Sequence, residues 1–191
     1  GLTLLANAMG YTSTVVMPIT QSKEKIDTLE LLGADLHLVN GASYDDPKHY
    51  IHQAEKLANR LNEKNPGSTI WARQFGNTAN RDIHYQTTGK ELIAQLGEEL
   101  HGFVCAAGTG GTLAGVSNAL KEFNPAVKTA LADPMGSALF DTFTGNTEPT
   151  GGNSLAEGIG LSFVSDNLKL GEIDNYYKIS DGEALPFLFD L

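Results

Sequence analysis

The hydrophobic positions of the chain follow two alternating patterns: short unbroken apolar runs, and longer stretches in which apolar residues recur every three or four positions. The runs have the length of buried strands and lie at residues 14–17, 36–39, 70–72, 103–107, 129–132 and 176–179. The periodic stretches are typical of helices with one buried face and lie at residues 1–9, 22–32, 47–64, 88–96, 112–120 and from 181 onward. This alternation predicts an α/β protein with doubly wound, mostly parallel sheets.

One polar segment, residues 73–86, interrupts the alternation because it carries few helix or strand signals. It predicts a boundary between two lobes, a small lobe at residues 1–77 and a larger one at residues 78–191. Residues 134–154 form a second irregular stretch, which we expect to be rich in loops apart from a turn of helix around Phe140.

Several predicted helix ends carry terminal signals. Gly10 is placed to end the first helix, and Ser22 is placed to cap the second. Ser180 with Glu183 three positions later forms a capping-box pattern at the start of the last helix. Pro186 conflicts with that helix because proline has no amide hydrogen to donate.

A glycine-rich stretch lies between the apolar run at 103–107 and the helix predicted at 112–120. Three of its four residues are glycine, in the order Gly-Thr-Gly-Gly from Gly108 to Gly111. The helix that follows places Leu113, Val116 and Leu120 on one face. A strand that turns through glycines into a helix leaves several amide groups without partners at the positive end of the helix dipole. The stretch therefore predicts a phosphate site.

Other interpretations of this stretch stay open from the residues alone. A glycine-rich turn without a ligand would have the same composition, at a large cost in backbone entropy. A dinucleotide fingerprint needs a third glycine where the chain has Leu113, although Asp133 at the end of the next strand could serve as its ribose-binding acid. A P-loop is excluded because no Gly-Lys-Ser/Thr follows. A single phosphate fits the loop better than a pyrophosphate.

The composition restricts the class of protein. The chain has 191 residues and a formal net charge of -10, without a run of lysine or arginine, so nucleic acid and anionic membranes are not expected partners. Its one cysteine, Cys105, excludes an internal disulfide and is typical of a packed thiol in a reducing compartment, which favours a cytoplasmic location. Gly1 stands where an initiator methionine is expected, and Leu191 lies within a helical pattern. Both ends therefore predict a piece of a longer chain, in which an organelle-targeting segment would not be seen.

Two further loops follow predicted strands, at the strand ends where α/β proteins bind ligands. Residues 73–80 offer amide and guanidinium donors beside Phe75, which suits a carboxylate with an apolar stem; a polar linker between lobes would have the same composition. Residues 156–160 contain two glycines and from composition predict only a turn. His84 is interpreted as a surface or structural histidine, and the other histidines show no metal-ligand spacing.

Five short motifs occur in the order that they take in the pyridoxal-phosphate-dependent β-family. They are QFGNTAN at 74–80, HYQTTGKE at 84–91, GTGGTLAG at 108–115, ADPMGS at 132–137 and EGIG at 157–160. The chain therefore resembles cysteine synthase (O-acetylserine sulfhydrylase) and its relative cystathionine β-synthase, and the opening GLTLLANAMGYTSTVVMP with the later LLGAD is similar to their small lobe. The resemblance covers essentially the whole chain.

This resemblance implies a two-lobed fold type II enzyme, similar to the tryptophan synthase β subunit and truncated at both ends, with pyridoxal 5'-phosphate as its cofactor. It implies that the cofactor's phosphate is held by the loop formed by Gly108, Thr109, Gly110, Gly111 and Thr112. The backbone of Gly158 would lie near the cofactor's face. Gln74, with Phe75 beside it, would bind the carboxylate of the amino-acid substrate.

The implied reaction is a β-replacement, in which O-acetyl-L-serine and sulfide give L-cysteine and acetate. Cysteine desulfhydration and cystathionine formation on the same scaffold are alternatives, and so is a non-catalytic domain that binds a phosphorylated ligand or a partner protein. The resemblance also implies a homodimer of the full-length protein and no metal.

The chain departs from the family pattern in one important respect. The family's Schiff-base lysine, in a Ser-x-Lys-Asp-Arg-type segment, would lie upstream of Gly1, and no lysine in the chain stands in a matching context. The serine that bonds the pyridine nitrogen, in a Gly-Ser-Ser-Gly-type loop, would follow Leu191. We therefore expect no catalytic residue within these 191 residues, and no activity from them alone.

Overall fold

The computed structural model describes residues 1–148 and 150–191, which form two compact units, 1–71 and 72–191. Both units are built from alternating strands and helices, and every strand pairing in the described residues is parallel. The predicted α/β class with parallel sheets is therefore confirmed. The predicted lobe boundary after residue 77 stays a prediction about the complete family fold.

The first unit contains a two-stranded sheet. Its elements are α1 (Leu2–Ala8), β1 (Thr14–Pro18), α2 (Lys23–Leu31), β2 (Asp35–Val39) and α3 (Tyr50–Lys64). β1 pairs with β2 in a register that places Thr14 opposite Asp35. Met17 on β1 and Ala58 on α3 are the buried hydrophobic side chains of this unit.

The second unit contains a three-stranded sheet with β4 in the middle. Its elements are α4 (Ala79–Gln86), α5 (Thr88–Leu96), β3 (Gly102–Cys105), α6 (Gly111–Phe123), β4 (Lys128–Pro134), α7 (Leu139–Thr144), β5 (Asn175–Ile179) and α8 (Asp181–Asp190). The strand order is β3-β4-β5. Because all three strands are parallel, the loops after β3, β4 and β5 leave the sheet at the same edge.

The core of the second unit forms around α6, as its apolar spacing predicts. Leu113, Val116 and Leu120 are fully buried on this helix. Leu131 on β4 and Leu139 on α7 complete the buried layer beside the glycine-rich loop. This packing fixes the start of α6 relative to the end of β3.

Two predictions about local structure are wrong. The apolar run at 70–72 is not a strand, and Ile70 is 91% exposed. The polar segment 73–86 is not irregular throughout, because its second half forms α4. α4 is stabilised by close packing on α6, where a Cβ at Gly115 would lie 2.3 Å from the Arg81 carbonyl oxygen. A helix that is stabilised mainly by packing on another helix is hard to predict from its own residue pattern.

The helix ends show mixed outcomes. Gly10 ends α1 at a φ of 79°, and the Ser180–Glu183 capping box is present at α8, which includes Pro186. Ser22 lies at the N-cap position of α2 but its side chain makes no capping bond. α3 begins at Tyr50, three residues later than predicted, with His49 as its N-cap. The expected turn of helix in 134–154 is α7; residue 149 of that stretch lies outside the described residues.

No helix in the described ranges is both long and apolar enough to cross a membrane.

Candidate functional site

The loop between β3 and α6 owes its path to its glycines. Gly110 adopts a φ of 79°, and a Cβ at this position would lie 2.5 Å from the Leu168 Cβ. A Cβ at Gly108 would lie 2.4 Å from the carbonyl oxygen of Gly158. The loop therefore packs closely on two later segments of the same unit, which only glycine permits.

The amide groups at the start of α6 have no acceptor among the residues that the structure describes. The first main-chain bond of this helix runs from the Ala114 amide to the Gly110 carbonyl, at 2.9 Å. Across residues 1–148 and 150–191, the amides of residues 109–112 donate to no protein atom. Since these donors lie at the positive end of a 13-residue helix, the loop has the donor set that a phosphate group requires.

The hydroxyl groups of the two threonines of the loop are held by side chains of α4. The Asn80 Nδ2 donates to Thr109 Oγ1 at 2.8 Å, and the Thr109 carbonyl accepts from Ser165 Oγ at 2.5 Å. Thr112 Oγ1 lies 3.1 Å from His84 Nε2, whose ring is bonded through Nδ1 to Thr88. These contacts fix the backbone of the loop while its amides point away from the helix.

Asn80 and His84 contact the glycine-rich loop, which the sequence did not predict for either residue. Asn80 closes the QFGNTAN motif and is predicted only as one of the donors of residues 73–80, and His84 is predicted to be a surface or structural histidine. The structure bears out a structural role for His84. In the structure His84 is half-buried and braces the loop through Thr112. The motifs that contain them were the available signal.

The predicted substrate residues lie in the same compact unit as the glycine-rich loop. Gln74 is exposed in the turn before α4. The Phe75 ring packs edge-on against Phe163, with 5.5 Å between ring centroids, and its carbonyl accepts from the Asp166 amide at 3.2 Å. Their role toward a substrate stays a prediction.

The segment at 157–160 lies against the glycine-rich loop. The Gly160 amide donates to the Ala107 carbonyl at 2.8 Å, and the Gly158 carbonyl lies beside Gly108. A surface cavity of about 370 Å³ borders this segment, lined by residues 134–137, 153, 154, 156 and 159–162. Both other loops singled out from sequence therefore contact the glycine-rich loop, residues 73–80 through Asn80 and residues 156–160 through Gly158.

Asp133 has a different role from the ribose-binding acid considered above. Its side chain is fully buried, and its Oδ2 accepts from Lys178 Nζ at 3.2 Å and from the Phe140 amide at 2.9 Å. A carboxylate in this position cannot reach a ribose hydroxyl. This removes the structural support for a dinucleotide site.

Cys105 packs against the core of the second unit, as predicted. Burial raises the pKa of its thiol, so the group is protonated at neutral pH and is a poor nucleophile. Within the part of the chain that the structure describes, no three His, Cys, Asp or Glu side chains are grouped so as to hold a metal ion.

These features define an α/β protein in which a parallel strand leads through a glycine-rich loop into a helix whose first amides lack acceptors among the described residues. Comparison with known proteins is in agreement. The sequence profile of the family described as "Pyridoxal-phosphate dependent enzyme" matches residues 1–188. The chain belongs to this family, whose members depend on pyridoxal phosphate.

Three relatives show how far the likeness extends. The chain is 40% identical to "Cysteine synthase 1" of Emericella nidulans over 99% of its own length and 51% of that protein. The crystal structure of an "O-acetylserine dependent cystathionine beta-synthase" from Helicobacter pylori has a TM-score of 0.78 and 30% identity, over 97% of this chain and 56% of the other. A "hydrogen sulfide-producing enzyme" from Fusobacterium nucleatum has a TM-score of 0.79 and 27% identity, over 100% and 59%.

These comparisons confirm the predicted family and fold type II. The chain spans about half the length of the curated relatives it matches.

Proposed function

We propose that the native protein is a pyridoxal-phosphate-dependent transferase that forms L-cysteine and acetate from O-acetyl-L-serine and sulfide. One observation carries the proposal: a chain 40% identical to a fungal cysteine synthase has a glycine-rich loop whose amides at 109–112 have no acceptor within the described residues. The donor set suits the cofactor's phosphate, and the family relationship supports the reaction class.

In this proposal the loop holds the cofactor by its phosphate. The amides of residues 109–112 bind the phosphate oxygens, and Thr109 and Thr112 hold the loop in shape through Asn80 and His84. The Gly158 backbone is packed on Gly108 and would lie near the cofactor's face. When bound, pyridoxal phosphate supplies an electron sink for the negative charge that develops at the α-carbon of the amino acid.

Gln74 binds the substrate in this proposal. Its amide group donates to the α-carboxylate, and Phe75 is held beside it by the bonds to its carbonyl. Hydrogen bonds to a charged carboxylate contribute about 1.5–3 kcal/mol each. This contribution orients the amino acid for loss of its α-proton and departure of acetate.

The covalent anchor of the cofactor belongs to a part of the protein outside these 191 residues. No lysine of the sequence lies in a Ser-x-Lys-Asp-Arg-type segment. The lysines Lys121 and Lys178 are largely buried and already ion-paired with aspartates. A homodimer and a cytoplasmic location complete the proposal, supported by the resemblance and by the lone cysteine.

The test uses the protein expressed from its complete coding sequence. Apoprotein reconstituted with pyridoxal phosphate is given O-acetyl-L-serine and sulfide, and cysteine and acetate are measured together. We expect Gln74→Ala to raise KM for O-acetyl-L-serine about tenfold or more without changing cofactor content. Gln95→Ala, an exposed glutamine on α5, is the matched control. Reconstituted protein that forms no cysteine would refute the proposed reaction.

The two related structures favour a second candidate on the same site. One is an O-acetylserine-dependent cystathionine β-synthase and the other produces hydrogen sulfide. Replacing sulfide with homocysteine tests the first activity, and giving L-cysteine alone tests sulfide release. A kcat/KM for either that exceeds that for cysteine formation would assign the protein to that branch.

A further inference from the structure

A buried ion pair at the carboxyl end of the sheet has no part in the proposed function. Lys178 on β5 and Asp133 on β4 stand opposite each other in the strand register, and their charged atoms are 3.2 Å apart. The Lys178 side chain is 9% exposed and that of Asp133 is 0% exposed. Both charges are therefore removed from water at the edge where the loops leave the sheet.

The pair holds the turn that follows β4 at both of its ends. Lys178 Nζ donates to the Ser137 carbonyl as well as to Asp133. Asp133 Oδ2 also accepts from the Phe140 amide at 2.9 Å, in the first turn of α7. The turn at residues 134–137 is thus held at its end by Lys178, through the Ser137 carbonyl, and α7 directly after it is held by Asp133, through the Phe140 amide.

Ser137 connects this turn to the segment at 157–161. Its hydroxyl accepts from the Leu161 amide at 3.0 Å and donates to the Leu161 carbonyl at 3.1 Å. The Ala138 amide donates to the same carbonyl at 2.8 Å. A Cβ at Gly160 would lie 2.8 Å from Pro134 Cγ, so the two segments are in close contact.

The same segment carries the contact to the glycine-rich loop. The Gly160 amide donates to the Ala107 carbonyl, and the Gly158 carbonyl occupies the space beside Gly108. A continuous series of bonds therefore runs from Lys178 through Ser137, Leu161 and Gly160 to Ala107, the residue directly before the loop.

We propose that Lys178 and Asp133 are positioning residues that hold the glycine-rich loop in shape for phosphate through the turn at 134–137 and the segment at 157–161. A buried ion pair is a weak source of net stability because desolvation offsets the attraction. Asp133 Oδ1 has no partner within the described residues, which weakens the case for a stabilising role further. The contribution of the pair is to orient the backbone, because its bonds fix the positions of the Ser137 carbonyl and the Phe140 amide.

The inference rests on the proposed function, and its test distinguishes failure of the inference from failure of the proposed function. In the native protein, Lys178→Met is compared with Lys121→Met, which breaks the ion pair with Asp174 at the other end of the sheet. The affinity of apoprotein for pyridoxal phosphate is measured by absorbance titration. Amide hydrogen exchange of a peptide covering residues 157–162 is followed by mass spectrometry.

We expect Lys178→Met to weaken cofactor affinity about tenfold or more and to speed exchange at the Gly160 amide about tenfold. Lys121→Met should leave both within about twofold of wild type, even where it lowers the melting temperature. Equal effects of the two substitutions on affinity and exchange would overturn the inference, because they would reflect general destabilisation.

If Lys178→Met does not fold, Asp133→Asn takes its place, since its amide oxygen can still accept from Phe140 while the ion pair is lost. Wild-type affinity and exchange in Asp133→Asn would overturn the inference. If the wild-type protein binds no pyridoxal phosphate, the proposed function fails, and the exchange comparison still decides whether Lys178 positions the segment.

Discussion

The two ends of β4 each carry a lysine–aspartate pair; the pair at the carboxyl end is buried and the one at the amino end is partly exposed, and the two differ in how their hydrogen bonds are completed. At the amino end, Lys121 Nζ lies 2.7 Å from Asp174 Oδ2. The Thr129 amide and hydroxyl donate to the same carboxylate, and Lys121 also donates to the Val127 carbonyl. These bonds stay among residues at the amino end of the sheet.

At the carboxyl end the bonds lead away from the pair. Asp133 leaves one carboxylate oxygen without a partner in the described residues, and Lys178 reaches the Ser137 backbone. From there the contacts extend to the glycine-rich loop. We therefore expect the amino end of the sheet to act as scaffold and its carboxyl end to organise the proposed ligand site, the usual arrangement in parallel α/β proteins.

The largest expected effect is on cofactor affinity, and it compares alanine substitutions of two glycines, Gly108 in the loop after β3 and Gly102 at the start of β3. Gly108→Ala would place a methyl group 2.4 Å from the Gly158 carbonyl oxygen, so the loop or the segment must move. We expect affinity for pyridoxal phosphate to fall about 100-fold. The control is Gly102→Ala at the amino end of β3, where the methyl group would meet the Lys128 carbonyl at an ordinary 3.4 Å. Titration of both variants checks this, and equal affinities would contradict it.

The next largest effect is expected from two buried serines. The hydroxyl of each accepts a hydrogen bond from a main-chain amide and donates one to a main-chain carbonyl. Ser137 does so with Leu161 at the carboxyl end, and Ser117 does so with Glu172 and Ala114 at the amino end. Either alanine substitution should lower the free energy of unfolding by about 1–3 kcal/mol in urea titrations. Only Ser137→Ala should also weaken cofactor binding, by about tenfold. Loss of affinity in Ser117→Ala would remove the distinction between the two ends.

A pH effect is expected from the pair at the amino end. Hydrogen bonds from Lys121 and Thr129 lower the pKa of Asp174 from 3.8 to about 2. Because the folded pKa is the lower one, the charged carboxylate stabilises the fold above pH 3.8, and this contribution is lost as the pH falls toward 2. The carboxylate is partly solvated, so the difference in unfolding free energy between wild type and Asp174→Asn should shrink by about 1 kcal/mol across that interval. A difference independent of pH would show that the charge of Asp174 does not matter.

The smallest effect concerns two serines at helix starts. Ser180 accepts from the Glu183 amide in a capping box, whereas the Ser22 side chain makes no capping bond. Ser180→Ala should lower the free energy of unfolding by about 1 kcal/mol, and Ser22→Ala by only a few tenths. Neither should change cofactor affinity, although Ser180 follows β5 at the carboxyl end of the sheet. A loss of affinity in Ser180→Ala would mean that the whole edge, rather than the contacts through Ser137, supports the loop.

Local patterns in the sequence predict those features of the fold that are determined within a single helix, strand or loop. The buried face of α6 follows from the spacing of Leu113, Val116 and Leu120, and the glycine-rich loop follows from its composition. The run at 70–72 failed as a strand because three apolar residues do not distinguish a buried strand from an exposed connection. Ile70 is in fact exposed.

Contacts between distant residues could not be predicted. Asp133 and Lys178 are 45 positions apart and meet only because β4 and β5 pair in a particular register. α4 depends on the close approach of Arg81 to Gly115, which no local pattern records. The family motifs indicated that Asp133 and Ser137 mattered, but not what they contact.

The central claim is that the amides at the start of α6 bind the cofactor's phosphate. It is tested most directly by proton–nitrogen correlation spectra of native apoprotein labelled with ¹⁵N-glycine, recorded as pyridoxal phosphate is added. We expect the Gly110 and Gly111 amide protons to move downfield as they acquire a phosphate acceptor, while Gly102 stays in place. Pyridoxal without its phosphate should leave all three unmoved. Saturable binding of pyridoxal phosphate with no change at Gly110 and Gly111 would contradict the account.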